Sequence, residues 1–228
     1  MSLTVLVPLR LEALAVRRGL RDPASRVVRT GMGSVRARAA AEQLADALQA
    51  GPVGVAGVCG GVDPRLRPGD VVVASAVRAA DGSERELPGA AALSDAVRRL
   101  GLRCVTGTVL SVERLERTAL RAAAGHEGVV AVDMESAWLA APAGDNALVV
   151  LRVVADAAGR NIYHLRTLVD GARALAVLRR AVPALEEWAA ETARLVDGQT
   201  APDAASLARK RTIALTASIR CTLPREVT

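Results

Sequence analysis

Short apolar runs alternate with amphipathic stretches along most of this chain, the pattern of strands exchanging with helices in an α/β sandwich. The apolar runs predict strands at Leu3–Pro8, Arg26–Thr30, Val53–Val58, Asp70–Val77, Arg103–Leu110, Val129–Val132 and Ala147–Ala155. Between them, spacing suited to one buried face predicts helices at Arg10–Gly19, Ser34–Gln49, Ala91–Leu100, Leu115–Ala124 and Asp133–Ala141, and a long one over Thr167–Val196. Gly and Pro mark the junctions, as in Gly31-Met32-Gly33, Gly60-Gly61-Val62-Asp63-Pro64 and Pro68-Gly69-Asp70. No internal repeat is visible.

From Asp197 the pattern stops. Gly-Gln-Thr-Ala-Pro-Asp-Ala-Ala-Ser reads as a linker, followed by a basic Ala-Arg-Lys-Arg stretch. The expected organisation is one catalytic domain over 1–197 and a mobile basic tail over 198–228. A chain of 228 residues with 51% hydrophobic residues and mean hydropathy +0.25 can bury one sizeable core. With no Phe, one Tyr and two Trp, that core rests on Ala, Val and Leu, and no stacking platform for nucleic-acid bases is available.

The formal net charge of +6 and the pI near 10.4 raise the question of a polyanion partner. After residue 200, Arg209, Lys210, Arg211, Arg220 and Arg225 stand against Asp203 and Glu226, so the tail holds a surplus of three and the body about three. Without helix-turn-helix or aromatic context the charge does not read as a nucleic-acid groove. Cys59, Cys104 and Cys221 are scattered and odd in number, so no disulfide framework is expected. His126 and His164 give no metal-ligand spacing, and no metal is expected. Met1–Leu9 is apolar but too short to span a bilayer and lacks a basic start, which points to a cytoplasmic protein.

Candidate chemistry concentrates where apolar runs end in acids. In Val132-Asp133-Met134-Glu135-Ser136, Asp133 serves either as a helix cap or as a ligand. Glu135 has two acceptor oxygens that suit a vicinal diol, and Met134 offers an apolar contact to a ribose face. Asp156 ends the strand Leu148–Ala155, where open α/β sheets place ligand-binding groups. It is either a turn cap before Ala157-Ala158-Gly159 or an acid that delivers a proton to a departing purine. Arg152 alternates with Val on the same strand, so a buried charge there needs a carboxylate partner. At the first strand–helix junction, Arg10 and Glu12 are either a solvated helix start or a phosphate grip and a carboxylate that orients a nucleophile. Gly31-Met32-Gly33 and Gly57-Val58-Cys59-Gly60-Gly61 read as glycine loops after successive strands.

Taken in order, these residues resemble the nucleoside phosphorylase and nucleosidase superfamily, over Leu3–Leu195. Within it, Val7-Pro8-Leu9-Arg10, Arg29-Thr30-Gly31-Met32-Gly33, Leu66-Arg67-Pro68-Gly69-Asp70-Val71-Val72-Val73-Ala74 and Ala131-Val132-Asp133-Met134-Glu135-Ser136-Ala137-Trp138-Leu139-Ala140 are most similar to a hopanoid-biosynthesis-associated phosphorylase branch. The resemblance implies a three-layer α/β/α sandwich with a central mixed sheet. It makes Glu135, with Asp133 beside it, the binder of ribose hydroxyls, and packs Met134 and Met32 on the sugar. Asp156 becomes the acid at purine N7, Arg10 with Gly60 the phosphate site, and Glu12 the carboxylate that activates water in nucleosidases.

The implied reaction is cleavage of an N-glycosidic bond with release of adenine, by phosphorolysis of adenosylhopane. Hydrolysis of methylthioadenosine, S-adenosylhomocysteine or futalosine is the alternative, and a nucleoside-binding protein without catalysis the rival of another class. No cofactor is implied beyond inorganic phosphate as co-substrate. The implied partners are a small, lipid-linked nucleoside and further copies in a dimer or hexamer, with the enzyme placed peripherally at a membrane. Val58 and Ala155 depart from the pattern by replacing hydroxyl residues, and Leu115 replaces a base-stacking Phe.

Overall fold

The computed structural model describes residues 2–48, 51–114, 127–141, 147–157 and 165–200. The described elements run β1 (Thr4–Val7), α1 (Arg10–Gly19), β2 (Arg26–Arg29), α2 (Ser34–Leu48), β3 (Val53–Gly61), β4 (Val71–Ala79), β5 (Glu84–Glu86), α3 (Ala90–Arg99), β6 (Cys104–Ser111), β7 (Val129–Asp133), α4 (Ser136–Ala140), β8 (Leu148–Ala157) and α5 (Leu165–Thr200). The chain divides into two compact units, Met1–Thr192 and Ala193–Thr228. The described part of the second, 193–200, is helical.

The first unit has a mixed sheet, as expected, with β2, β1, β3 and β8 side by side and parallel. β8 pairs antiparallel with β4, β4 parallel with β6, β6 parallel with β7, and β7 returns antiparallel to the end of β3. Five strands therefore close into a ring, with β1 and β2 flanking it on one side and β5 on the other. Strand β8 shows why the sheet must be covered on both faces. Its Val149, Leu151 and Val153 pack into one core with α1, α3 and α5, while Leu148, Val150 and Val154 pack into another with Ala37 of α2 and Leu139 of α4. A near-continuous apolar run is the signature of such a doubly covered strand.

The helix expected from Asp133 starts at Ser136 instead, and Asp133 is the last residue of β7. The glycine run Gly57–Gly61 is strand β3 itself, paired on both sides at Gly60, rather than a loop. Strand β5, Glu-Arg-Glu, has no apolar pattern to announce it. The expected helix Leu115–Ala124 lies outside the described residues, as does most of the expected tail.

Candidate active site

The parallel strands β1, β2, β3 and β8 end on one edge of the sheet, and α1 and α2 begin there. Strand β7 runs the other way against β3, with Val132 opposite Gly60. The turn after β7 is thereby carried back over the middle of β3. These junctions enclose a small, half-open cleft lined by Pro8, Leu9, Glu12, Met32, Val58, Asp133, Met134 and Glu135.

Glu12 enters the cleft from the first turn of α1, three residues after Leu9. Its carboxylate accepts the backbone N–H of Leu9 at 2.8 Å and that of Val58 at 2.8 Å. The first bond caps the helix start and the second ties α1 to β3, so both oxygens are fixed. Glu135 sits in the turn between β7 and α4 and accepts the N–H of Gly33 at 2.8 Å. Gly31 and Gly33 have φ of 89° and 91°, a backbone that glycine adopts without strain. That shape lets the Met32 loop aim an N–H at Glu135 while Met32 stays half exposed.

Between the two glutamates lies Arg152, fully buried in β8. Its Nη2 pairs with Asp133 Oδ2 at 2.7 Å and stands 3.8 Å from Glu135 Oε2. Nε and Nη2 both donate to Ser136 Oγ, at 3.1 and 2.9 Å. Nη1 is buried without a hydrogen-bond partner among the described residues. A methyl group on Gly57 would lie 2.5 Å from Arg152 Nη1 and 2.7 Å from Glu12 Oε1, so Gly57 leaves open the space these two groups share. The sequence marked Arg152 as a charge in need of a carboxylate. Its nearness to Glu12 had no signal, because that depends on the pairing of β3 with β8.

One buried cation thus faces three carboxylates. Burial pushes Glu12 above the ordinary carboxylate range, with Arg152 and the two N–H donors pulling it back. Burial likewise raises Glu135, opposed by Arg152 and reinforced by the charge of Asp133. Burial alone works against the charge of Arg152, and Asp133, Glu135 and Glu12 outweigh it. Cys59, buried next to this group, has its thiol pushed up to about 12, first by burial, and stays protonated at neutral pH.

Asp133, named with Glu135 as a sugar-binding candidate, lines the cleft with its oxygens engaged inside the protein. Its Oδ1 accepts Ser111 Oγ at 2.6 Å and the N–H groups of Glu135 and Ser136 at 3.2 Å, while Oδ2 is taken by Arg152. With 2% exposure it anchors the turn that carries Glu135. Ser111, whose hydroxyl also accepts the N–H of Ala137, gave no sign in the sequence. Gly60 does not fit its expected place in a phosphate loop, since it is strand paired on both sides. Arg10 is exposed and does not line the cleft.

Asp156 is half-buried near the end of β8, opposite Gly60, and so two strands across from Val132. Cys59 faces Val154 and Gly60 faces Asp156, which leaves Ala155 as the extra residue of a bulge. Bulges of this kind re-aim the following side chain. Leu115 lies outside the described residues.

The sequence model of the Phosphorylase superfamily matches residues 25–198. This chain belongs to that superfamily. Membership agrees with the resemblance read from the motifs and makes the chain an enzyme that cleaves glycosidic bonds. No curated protein sequence matches it.

Among solved structures it is similar to a 5′-methylthioadenosine/S-adenosylhomocysteine nucleosidase of Colwellia psychrerythraea in complex with adenine. The TM-score is 0.72 at 22% identity, over 83% of this chain and 96% of the other. Futalosine hydrolase of Helicobacter pylori has TM-score 0.71 at 13% identity, over 82% and 97%. A nucleosidase of Neisseria meningitidis in complex with methylthio-immucillin-A has TM-score 0.69 at 18% identity, over 82% and 98%. At these identities the likeness is one of fold.

Proposed function

We propose that this phosphorylase-superfamily enzyme hydrolyses the N-glycosidic bond of an adenosine-type nucleoside with an apolar 5′ substituent, releasing adenine. The observation that carries the reading is that Glu12 and Glu135 line one cleft with the buried Arg152 behind them, Glu12 being fixed by two backbone donors and raised in pKa. Glu135 accepts the ribose hydroxyls, and Met32 and Met134 pack on the sugar. Asp156 gives a proton to N7 as the C1′–N9 bond breaks and its electron pair passes to the purine. Water beside Glu12 and Arg152 Nη1 forms the new bond to C1′, and Glu12 takes its proton. The products are adenine and the 5′-substituted ribose.

Water is favoured over phosphate because Arg10 is exposed outside the cleft and Gly60 lies in a paired strand. The apolar 5′ group is supported by Leu9 and Met32 at the cleft mouth. That group is shared by methylthioadenosine and by adenosylhopane, the substrate implied by the branch resemblance. The test is adenine release from methylthioadenosine and from a long-chain 5′-alkyl adenosine, each with and without phosphate. Release without phosphate is the expected result. Release that requires phosphate would overturn hydrolysis, and tight adenine binding with no release from either substrate would overturn catalysis.

A further inference from the structure

Helix α1 starts at the cleft and ends at a second, open pocket. The wall of that pocket is formed by Arg17 and Leu20 at the end of α1, by Arg21, Asp22 and Ser25 in the turn that follows, and by Val27 of β2. Strands β1 and β2 begin at this edge of the sheet and finish at the cleft. The two places are therefore separated by the length of α1, about 15 Å for ten residues, and they share no lining residue.

The turn is tied down by its own backbone. Glu186 of α5 accepts the N–H of Arg21 at 3.0 Å and that of Asp22 at 2.8 Å. Asp22 Oδ1 accepts the N–H of Ala24 at 2.9 Å, and the Asp22 carbonyl accepts the N–H of Ser25 at 3.1 Å. Gly19 lets α1 approach α5 so closely that a methyl there would lie 2.4 Å from the Arg179 carbonyl oxygen. What this leaves over is side-chain chemistry. The guanidinium groups of Arg17 and Arg21 have no hydrogen bond or ion pair among the described residues, and Asp22, exposed in the same wall, pairs with neither. The Ser25 hydroxyl is buried without a hydrogen-bond partner among the described residues. Arg17 and Arg18, in the last turn of α1, suit the negative end of the helix dipole, but Arg21 lies beyond the helix and that reason does not reach it.

We infer that this pocket binds a small phosphate ester that carries hydroxyl groups. Two guanidinium forks open to one pocket match the oxygens of a phosphate group. A carboxylate in the same wall, held apart from both, repels a bare anion and accepts a hydroxyl, so the ligand that satisfies the whole wall carries both groups. The Ser25 hydroxyl adds a donor at a place where an unpartnered one costs stability. No step of this argument uses the glycosidic reaction, so the pocket stands whether or not the proposed function does.

The experiment is calorimetric titration of the full chain with ribose 5-phosphate, inorganic phosphate and ribose at one fixed ionic strength. The ester is expected to bind more tightly than inorganic phosphate, and ribose not to bind this pocket. Arg17→Gln/Arg21→Gln, at exposed positions, is expected to weaken the ester about tenfold or more, and Ser25→Ala, which removes no hydrogen bond of the free protein, roughly fivefold. Asp22→Asn keeps an acceptor for Ala24 and is expected to bring the affinities for the ester and for inorganic phosphate closer together. Because the ester contains a ribose, Glu135→Gln controls for binding in the cleft and is expected to bind it as the unmodified chain does. Four results overturn the inference: no saturable binding of the ester by the unmodified chain, inorganic phosphate bound as tightly as the ester, full affinity in both the arginine pair and Ser25→Ala, or a loss in Glu135→Gln as large as that in the arginine pair. None of these is read from adenine release, so the pocket and the catalysis fail separately.

Discussion

Arg152 brings one positive charge into a space shared by Asp133, Glu135 and Glu12, and the three acids have different tasks because their other partners differ. Asp133 is used up by Ser111, two backbone N–H groups and Arg152 itself. Glu12 and Glu135 each keep an edge toward the cleft, and burial raises both. A base with a raised pKa works only above it. The kcat/KM for adenine release is therefore expected to climb with pH along an acid limb above 4.5, the ordinary glutamate value, and Glu12→Gln is expected to lose about 10²- to 10⁴-fold. A pH–rate profile of both proteins checks this, and an unchanged rate in the variant removes Glu12 from the reaction. Asp156→Asn should lose activity by a similar factor of about 10² to 10⁴ while keeping the thermal midpoint. Wild-type turnover in that variant would detach Asp156 from proton transfer. Cys59 lies beside the same cluster, yet with its thiol raised to about 12 it is expected to resist thiol reagents until the chain unfolds. Rapid labelling of Cys59 in the folded protein would contradict the burial seen here.

At the scale of elements, the site depends on strand β3, which has no functional side chain of its own. Its Gly57 leaves the opening into which Arg152 Nη1 and Glu12 Oε1 both reach, and its Val58 donates a backbone N–H to Glu12. Gly57→Ala places a methyl 2.5 Å from the first and 2.7 Å from the second. Both groups are buried and tied, so neither can yield cheaply. The variant is expected to lose about 1–3 kcal/mol of stability by urea titration and most of its adenine release. Activity near wild type would show that Glu12 and Arg152 do not need their present spacing.

The same strand shows what the sequence could reveal. The apolar run of β8 and the periodicity of α1 were legible because each is a local pattern set by burial on two faces or on one. Glu12, Glu135, Met32 and Met134 were legible as candidates because they stand where strands give way to helices. The glycines of β3 looked like a loop because glycine usually marks one. Only the pairing with β7 and β8, and the two charged side chains that fill the absent Cβ volume, explain why they are strand. Ser111 and the nearness of Arg152 to Glu12 were invisible for the same reason, each depending on how elements far apart in the chain come together.

For the molecule as a whole, a site of buried acids has a cost that depends on pH. Glu12 ionises in the folded state only above its unfolded value of 4.5, so in that window the folded protein holds a proton that the unfolded chain has released. Below 4.5 both states are protonated and there is no penalty. As pH rises from 4.5 through the raised value, unfolding is favoured progressively, and above it the penalty is constant. Glutamine cannot titrate, so in the stability difference between Glu12→Gln and the wild type the groups that do not feel Glu12 cancel. Removing the charge of Glu12 also relieves Glu135, whose own rise it reinforces, and that acts in the same direction. The wild type is therefore expected to lose stability relative to Glu12→Gln as pH rises from about 4.5 toward neutrality, and then to run parallel to it. Urea midpoints of the two proteins at closely spaced pH values measure the difference directly. A difference that stays flat across the window would mean that Glu12 ionises as it does in the unfolded chain, and a poised base in this cleft would have to be sought elsewhere.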